Sequence, residues 1–313
     1  MNIIKWLLLL SLLLLCAAFA WYLVADAKLL ALDDTARAQA PGSFLDLPEG
    51  KLHYRWAGPE DGPVVVLSHG FSTPNFIYEQ NVTALNAAGF RTLRYDHFGR
   101  GWSSRPAVKY DVDFYDRTLL RLLDGLNLTS PVGLVGLSMG GPITAEFVAR
   151  HPERVRRLFL FVPAGLDLAS TDSNASKLIK TPVIGDFIFR VFGRYLLLGD
   201  NQYAEDQRAP ADRLMGDVSE QMTYRGYFDA LLSTMRHMPM SGRETTFDAL
   251  KATDVPVMAV YGDADTTVLV SSADKLQTLM PDATVQVIVG GEHGLNYQRH
   301  AEVNPELVAW FSN

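Results

Sequence analysis

The run Gly136-Leu137-Ser138-Met139-Gly140 places a serine between an apolar run and an amphipathic stretch. A nucleophile between a strand and a helix needs a sharp turn with small neighbours. Gly136 and Gly140 meet that need, because a Cβ at either position would collide with nearby backbone. The turn would hold the Ser138 hydroxyl above the sheet, with the amino end of the helix behind it. The pattern therefore predicts Ser138 as a nucleophile.

A serine hydroxyl is a weak nucleophile at neutral pH and needs an imidazole to take its proton. His293 lies in the loop Gly290-Gly291-Glu292-His293-Gly294, directly after a strand predicted at Thr284–Val289. This setting favours His293 as the base. The other histidines considered lack it or lie at a helix end or in the helical insertion: His53, His151, His237 and His300.

The imidazole in turn needs a carboxylate that fixes its tautomer. Asp265 follows a strand predicted at Val255–Tyr261, so the chain contains the order Ser, Asp, His with each member in a loop after a strand. Asp265 is the preferred acid, and Asp263 and Asp167 are the alternatives. The unused member of the Asp263/Asp265 pair is expected to cap the turn.

Acyl transfer also needs donors for an oxyanion, and one lost donor costs about 3–4 kcal/mol. A strand predicted at Val64–Ser68 is followed by His69-Gly70-Phe71. We expect Gly70 to let the chain turn so that the backbone amide of Phe71 faces the serine. The second donor would be the amide of Met139. His69 is expected to be a structural hydrogen-bonding residue.

Short apolar runs alternate with amphipathic stretches from Phe44 onward, which is typical of a mostly parallel sheet flanked by helices. Further strands are predicted at Arg91–Tyr95, Val132–Leu137 and Arg157–Val162. Helices are predicted at about 77–88, 111–127, 140–150, 271–280 and 301–312.

The alternation breaks between about 166 and 245, where apolar and aromatic residues recur at helical spacing. An insertion of about 80 residues is too long for an ordinary loop. We therefore expect a helical cap over the carboxyl edge of the sheet, where ligands bind in open α/β folds. The predicted organisation is an anchor or signal segment at 1–25, a linker at 26–42, a core at 43–165 and 246–313, and the cap at 166–245.

Together these motifs resemble those of the α/β-hydrolase superfamily over nearly all of residues 50–313. The motifs are His69-Gly70 in the oxyanion loop, Tyr95–Ser104 as the D-x-x-G-x-G-x-S segment, Ser138 in the nucleophile elbow, Asp265 at the G-x-x-D spacing from Gly262, and His293-Gly294. The resemblance implies the α/β-hydrolase fold with a helical cap after the sixth strand, no cofactor and no catalytic metal. It assigns a structural role to Asp96–Ser104 and supports Asp265 over Asp263.

Relatives with such a cap use aspartate at the elbow for alkyl halides or epoxides, whereas this chain has Ser138. The first functional interpretation is a serine hydrolase acting on carboxylic esters with an apolar or lipid-like acyl group. The second is a C–C bond hydrolase of ring-cleavage diketo acids, for which Arg190, Arg194 and Arg225 are candidate carboxylate ligands. A cofactor-free perhydrolase or haloperoxidase and a catalytically silent binding protein are the remaining alternatives.

Trp6–Ala25 is a run of 20 residues without a charge. As a helix it would span ~30 Å, the thickness of a bilayer's hydrocarbon core. Lys5 precedes the run, which favours a membrane anchor with the catalytic domain on the non-cytoplasmic side, although Lys28 and Arg37 weaken that charge asymmetry. Signal cleavage, giving a secreted or periplasmic protein, is the alternative.

The composition of the chain excludes several classes of partner and site. The formal net charge is −7 and no long basic run is present, which argues against nucleic-acid binding. Cys16 is the single cysteine, so an intrachain disulfide and a multi-thiolate zinc site are excluded. The expected partners are a small ester or lipid substrate and, through the N-terminal segment, a membrane.

Overall fold

The computed structural model describes residues 2–169, 173–198 and 208–313. The strands are β1 (Ser43–Leu47), β2 (Gly50–Ala57), β3 (Val64–Ser68), β4 (Arg91–Tyr95), β5 (Val132–Leu137), β6 (Val155–Phe161), β7 (Val257–Gly262) and β8 (Thr284–Ile288). They form one sheet in the order β1-β2-β4-β3-β5-β6-β7-β8. β2 runs antiparallel to β1 and β4, and the other neighbours are parallel. The expected mostly parallel sheet is confirmed.

Three strands, β3, β4 and β5, have the bounds that the sequence predicts, while β6 begins two residues earlier, at Val155. The two strands of the β1–β2 hairpin were not predicted from the sequence. Its β1 strand lies at the sheet edge, and its side chains are exposed or half-buried rather than uniformly apolar and buried. Such an antiparallel edge gives a weaker sequence pattern than the buried parallel strands.

The sheet is covered on both faces by helices. These are α3 (Glu79–Ala87), α4 (Val112–Gly125), α5 (Gly140–Arg150), α11 (Ser271–Leu279) and α13 (His300–Ser312), with a short α12 (Leu295–Gln298). Successive side chains of a strand point to opposite faces. Accordingly, Val65 packs with apolar residues of α3 and α13, whereas Val66 packs with those of α4 and α5. The core is thus a three-layer arrangement that fixes the strand ends.

The insertion between β6 and β7 is helical in its described parts. It contains α6 (Asn174–Lys180), α7 (Ile184–Leu198), α8 (Arg208–Gln221), α9 (Tyr227–His237) and α10 (Glu244–Lys251). It has an apolar cluster of its own, which includes Phe189, Val218, Tyr227 and Leu231. The helical cap after the sixth strand is therefore present, and the boundaries at 165/166 and 245/246 stay predictions.

An N-terminal apolar helix, α1 (Asn2–Ala27), is also present as expected, followed by a short α2 (Asp34–Arg37). By length and composition, Ile3–Ala27 is able to cross a membrane, and a signal sequence would pass the same test. The side chains of α1 from Ile3 to Leu15 are exposed, while its carboxyl end contacts α7. Membrane insertion and the linker assignment of 26–42 stay predictions.

Candidate active site

Ser138 sits on a strained turn between β5 and α5. Its φ is +52°, in the left-handed region that non-glycine residues rarely adopt. Three backbone hydrogen bonds hold it there: its N–H donates to the Phe161 carbonyl over 3.0 Å, and its own carbonyl accepts from the amides of Gly141 at 2.9 Å and Ala164 at 3.0 Å. The strain is therefore offset by bonds to β6, to α5 and to the loop after β6, and the side chain stands at the carboxyl end of the sheet.

The flanking glycines are needed for space. A Cβ on Gly140 would lie 2.1 Å from the Ser68 carbonyl oxygen, and one on Gly136 would lie 2.4 Å from Thr144 Oγ1. Neither distance is compatible with van der Waals contact, so a side chain at either position would push the elbow away from β3 or from α5. The predicted role of both glycines is confirmed.

The expectation for Gly70 needs correction. Its φ is not in the left-handed region, so the turn itself does not require glycine. A Cβ at Gly70 would lie 3.4 Å from Ser138 Cβ and 3.9 Å from Ser138 Oγ. Glycine at this position thus keeps the space in front of the serine hydroxyl open.

His293 lies within hydrogen-bonding distance of the serine. Its Nε2 is 3.0 Å from Ser138 Oγ, and its Nδ1 is 2.8 Å from Asp265 Oδ2. The tautomer with a proton on Nδ1 satisfies both contacts, because Nδ1 then donates to the carboxylate and Nε2 accepts from the hydroxyl. The imidazole is one-third exposed, so a ligand at Ser138 can reach it.

Asp265 is buried and held from two sides. Its Oδ1 accepts the amides of Thr267 at 2.7 Å and Val268 at 2.9 Å, which leaves Oδ2 directed at His293. Because these two amides hold Oδ1, the carboxylate has one orientation available. The structure therefore brings together the three side chains that the sequence analysis selected.

The alternative acids are engaged elsewhere. Asp263 accepts the Gly290 amide through Oδ1 over 2.6 Å, so it caps the neighbouring turn as expected. Asp167 pairs with Lys275 at 2.5 Å and accepts from Ser271 Oγ at 2.7 Å. The hydrogen bond from Lys275 is the main reason that the pKa of Asp167 lies below its usual value.

The other histidines have partners away from the elbow. His151 lies 3.3 Å from Asp116, and His237 contacts the Ser233 carbonyl oxygen through Nδ1 at 2.8 Å. The first contact joins the end of α5 to α4, and the second lies within α9, so neither involves Ser138. Among the histidines whose hydrogen bonds the structure describes, His293 is the one that contacts Ser138.

The backbone amides of Phe71 and Met139, both near Ser138, have no hydrogen-bond acceptor among the described residues. Met139 is buried at the amino end of α5, and Phe71 lines the space in front of Ser138. Free N–H groups at the start of a helix attract negative charge. The arrangement can therefore stabilise a negatively charged oxygen on a carbon that is bonded to Ser138 Oγ.

Arg100 holds the loop of one of these residues, Phe71, and its role is not apparent from the sequence. Its guanidinium is fully buried; Nε donates to the Phe71 carbonyl over 3.0 Å, and Nη2 donates to Thr234 Oγ1 over 2.9 Å. Thr234 belongs to α9, so the cation connects the oxyanion loop with the cap. A charge in a glycine-rich loop is ordinarily interpreted as solvent-exposed, which is why sequence reasoning missed it.

His69 has the structural role expected of it. Its Nδ1 donates to the Gly70 carbonyl over 2.8 Å, and its Nε2 accepts the His97 amide over 2.9 Å. Burial lowers the pKa of His69 to about 4 and keeps the ring neutral, despite the nearby carboxylate of Asp96. The neutral form is required, because Nε2 is an acceptor here.

Asp96 organises the Asp96–Ser104 segment. It accepts from His53 Nδ1 at 2.7 Å, from the backbone amide and side-chain amide of Asn75 at 2.9 and 2.6 Å, and from the Trp102 amide at 3.0 Å. Burial would raise the pKa of Asp96, but His53 and these donors outweigh it and lower the pKa to about 2. Asp96 thus holds this segment against Asn75 and β2, which is a structural role.

Two cavities meet at Ser138. One, of about 720 Å³, lies under α6 and α9. Its lining includes Ile179 and the methionines Met139, Met235, Met238 and Met240, together with the polar side chains of Lys180, Arg236 and His237. The other, of about 570 Å³, lies on the His293 side and is lined by Ile77, Leu197, Leu214 and Tyr297 among others. A two-part substrate can therefore place its reacting carbon at Ser138 with one portion in each cavity.

No group of three His, Cys, Asp or Glu side chains that could hold a metal occurs in residues 2–169, 173–198 and 208–313.

The arginines that were expected to bind a substrate carboxylate do not line either cavity. Arg190 pairs with Asp26 and Asp229, and Arg225 pairs with Asp26. Arg194 donates to the Ser219 carbonyl oxygen.

Comparison with known proteins agrees with this architecture. The family model described as the alpha/beta hydrolase fold matches residues 63–299. A relative from Synechocystis sp. that is named for non-heme chloroperoxidase activity is 30% identical over 264 residues, covering 79% of this chain and 90% of its own. A bifunctional esterase/perhydrolase of Acinetobacter calcoaceticus is 25% identical over 271 residues, covering 83% and 95%. The crystal structure of a bromoperoxidase from Bacillus anthracis superimposes with a TM-score of 0.71 at 24% identity, covering 87% of this chain and 100% of that one. The chain therefore belongs to the α/β-hydrolase family.

Proposed function

We propose that this protein is a serine hydrolase that cleaves carboxylic esters through an acyl-enzyme, with Ser138 as nucleophile, His293 as base and Asp265 as the orienting acid. The observation that carries the proposal is the continuous hydrogen-bonded row from Ser138 Oγ through His293 to Asp265 Oδ2, at 3.0 and 2.8 Å. At these distances, and with the ring proton of His293 on Nδ1, the Ser138 hydroxyl proton can pass to His293 Nε2.

In the proposed reaction, Ser138 Oγ attacks the ester carbonyl carbon while His293 Nε2 takes the hydroxyl proton. The carbonyl oxygen becomes an oxyanion that accepts hydrogen bonds from the Phe71 and Met139 amides. His293 then gives its proton to the departing alkoxide, which leaves as the alcohol. Water, deprotonated by His293, attacks the acyl-enzyme and releases the acid, which restores the serine.

The proposed substrate has an apolar or lipid-like acyl group. The larger cavity offers methionine and isoleucine side chains, and thioether side chains adapt to flexible apolar ligands.

We propose further that α1 anchors the enzyme in a membrane with the catalytic domain on the non-cytoplasmic side. An anchored enzyme meets esters that are partitioned into the bilayer.

The test is an ester panel of increasing acyl length, assayed with the full chain in detergent micelles. A rise in kcat/KM of about 10-fold or more from two-carbon to eight-carbon acyl groups supports the lipid-like substrate, since each buried methylene contributes about 0.8 kcal/mol. Highest turnover on two-carbon esters contradicts it. Protease accessibility in sealed membranes tests the orientation separately.

Perhydrolysis is a second candidate, favoured by a relative named as a bifunctional esterase/perhydrolase. In that reaction hydrogen peroxide replaces water in attacking the acyl-enzyme and a peracid leaves. The assay is peracid formation from an ester and hydrogen peroxide. A Ser138→Ala variant is the control, since both reactions pass through the same acyl-enzyme.

The ring-cleavage alternative has less support here. Arg190 and Arg225 are occupied by carboxylates, although Lys180 and Arg236 do line the larger cavity. Turnover of a dienoic diketo acid together with inactivity on every ester would favour it. A folded protein that neither turns over an ester nor reacts with a fluorophosphonate would favour a silent binding protein.

A further inference from the structure

We infer that the outer side of α6 and α7 in the cap binds the surface of a lipid bilayer, in the same membrane that holds α1. This surface, the cap apolar face, consists of Leu178, Val183, Ile184, Phe192, Tyr195 and Leu196. The inference rests on the proposed membrane anchoring of α1. It adds that the cap itself enters the lipid interface.

The cap apolar face is exposed on α6, at the amino end of α7 and in the carboxyl half of α7. Val183 is 79% exposed and Tyr195 is 72% exposed, and the other members are between 39% and 48% exposed. Ile184, Phe192 and Tyr195 are eight and three residues apart, so they lie on one side of the helix. Clustered apolar side chains at a soluble surface indicate a contact with an apolar partner.

The position of α1 identifies that partner. The Trp21 ring lies 5.2 Å from that of Phe192 and 6.4 Å from that of Phe187, and the Arg190 guanidinium lies 5.7 Å from the ring of Tyr22. Trp21 and Tyr22 lie near the carboxyl end of the apolar run of α1, and such residues are enriched at the membrane–water interface. The neighbouring turns of α7 must then lie at the same depth as these two rings.

Ion pairs fix the carboxyl end of α1 against the cap. Arg190, with a side chain only 5% exposed, lies between Asp26 at 3.3 Å and Asp229 at 2.7 Å. Asp26 also pairs with Arg225. A buried guanidinium is costly without its carboxylates, so these contacts resist separation of α1 from the cap.

Backbone contacts continue the attachment beyond the helix. The Leu30 amide donates to the Thr223 carbonyl over 2.9 Å, and the Arg225 amide donates to the Leu30 carbonyl over 2.8 Å. The chain after α1 is therefore paired with the cap rather than loose. Rotation of the cap away from the membrane would break these bonds together with the Asp26 ion pairs.

Val183 gives a separate indication. Its φ is +68°, which is strongly disfavoured for a β-branched residue, yet its side chain is the most exposed of the set. The Asp186 carboxylate accepts the Val183 amide over 2.8 Å and holds this conformation. The Val183 carbonyl also accepts the Phe187 amide over 3.0 Å, so the backbone begins α7 while the apolar side chain faces outward.

The charges around the face suit an anionic headgroup layer. Lys177 of α6, Arg194 of α7 and Lys28 after α1 are exposed, while Asp186 is neutralised by Arg236 at 2.9 Å. Basic residues that border an apolar surface are attracted to anionic lipid headgroups. The surface therefore combines apolar insertion with electrostatic attraction.

This placement also brings lipid close to the reacting serine. Leu178 of α6 is exposed, whereas Ile179, the next residue, lines the larger cavity at Ser138. One helix thus separates the cap apolar face from that cavity. A lipid-borne ester can pass beside α6 without crossing the aqueous phase.

Fluorescence labelling of the full chain tests the inference. In a Cys16→Ser background, an environment-sensitive dye is attached to Tyr195→Cys or Ile184→Cys, and the matched control is Asp282→Cys, an exposed position at the opposite edge of the sheet. The proteins are reconstituted in vesicles of phosphatidylcholine and phosphatidylglycerol, with and without lipids that carry a nitroxide near the headgroup.

We expect the two cap labels to shift to the blue and to be quenched at least about 2-fold by the nitroxide lipid, while the Asp282→Cys label is not quenched. Cap labels that are as unquenched as the control, in protein that floats with the vesicles, overturn the inference. Disulfide crosslinking between Tyr195→Cys copies without quenching assigns the face to a second copy of the chain and also overturns it.

A kinetic arm separates this inference from the proposed function. Tyr195→Asp is expected to raise KM for a vesicle-borne long-chain ester about 10-fold and to leave kcat on a water-soluble ester unchanged. Equal losses on both substrates contradict a docking role. If neither substrate is turned over by the parent protein while the cap labels are quenched, the proposed function fails and the docking surface stands.

Discussion

Arg100 donates a hydrogen bond from Nε to the carbonyl oxygen of Phe71 over 3.0 Å, and it does so from a fully buried position. The same guanidinium reaches Thr234 in the cap. The loop that supplies one proposed oxyanion donor is thus positioned by a cation that also contacts α9. Arg100 does not touch the reacting atoms, so we assign it a positioning role.

Replacement of Arg100 by lysine is expected to lower kcat about 10- to 100-fold with little change in KM. Lysine keeps the charge but cannot make both directed bonds, so the Phe71 amide loses its alignment. Thr234→Ser, which keeps the hydroxyl acceptor, is the matched control and should retain activity. A change confined to KM, in steady-state kinetics of folded protein, would contradict the positioning role.

Exchange of the two neighbouring aspartates separates catalytic from structural carboxylates. Asp265→Asn should reduce kcat/KM by about 10⁴-fold, because the amide favours the wrong tautomer of His293. Asp263→Asn should cost less than about 10-fold, since its carboxylate only accepts the Gly290 amide. Equal losses in the two variants would reject the assignment.

The buried His69 predicts how stability depends on pH. Burial lowers its pKa from 6.5 to about 4. Between these values the unfolded chain binds a proton that the folded chain excludes, so stability is complete above pH 6.5 and falls as the pH drops toward 4.

For this reason His69→Gln, which keeps an acceptor for the His97 amide, should flatten the pH dependence by up to about 1.36 kcal/mol per pH unit. Urea unfolding of both proteins at pH 7, 6 and 5 measures the difference. Parallel stability curves would show that His69 is not neutral in the folded protein.

Substitution of two glycines near Ser138 should affect different properties, the stability of the protein in one case and substrate binding in the other. Gly140→Ala places a Cβ 2.1 Å from the Ser68 carbonyl oxygen, and the protein should be destabilised by more than about 3 kcal/mol. Gly70→Ala should fold, but its methyl group lies in front of Ser138 and should raise KM most for esters branched next to the carbonyl. Thermal unfolding and ester kinetics on both variants give the comparison.

Those parts of the fold and site that depend on local pattern were accessible from the sequence. β3 and β5 are continuous apolar runs between turns, and Ser138 lies in a motif whose glycines have a steric reason. Asp265 and His293 could be selected because each follows a predicted strand. Parallel strands bring such loops to one edge whatever their separation along the chain.

Other features depend on long-range contacts that no local pattern records. Arg100 is buried because residues 134 positions away close over it. One of the Asp26 ion pairs connects the end of α1 with Arg225, which is 199 positions away. The role expected for Gly70 was wrong for the same reason, since its small size matters to the space around Ser138 and not to its own turn.

The most direct test of the central claim is active-site labelling of the full chain with a fluorophosphonate, followed by peptide mass spectrometry. The account predicts stoichiometric labelling on Ser138 and slowing of at least about 10³-fold in His293→Ala. Labelling on another residue, or a rate unchanged in folded His293→Ala, would contradict it.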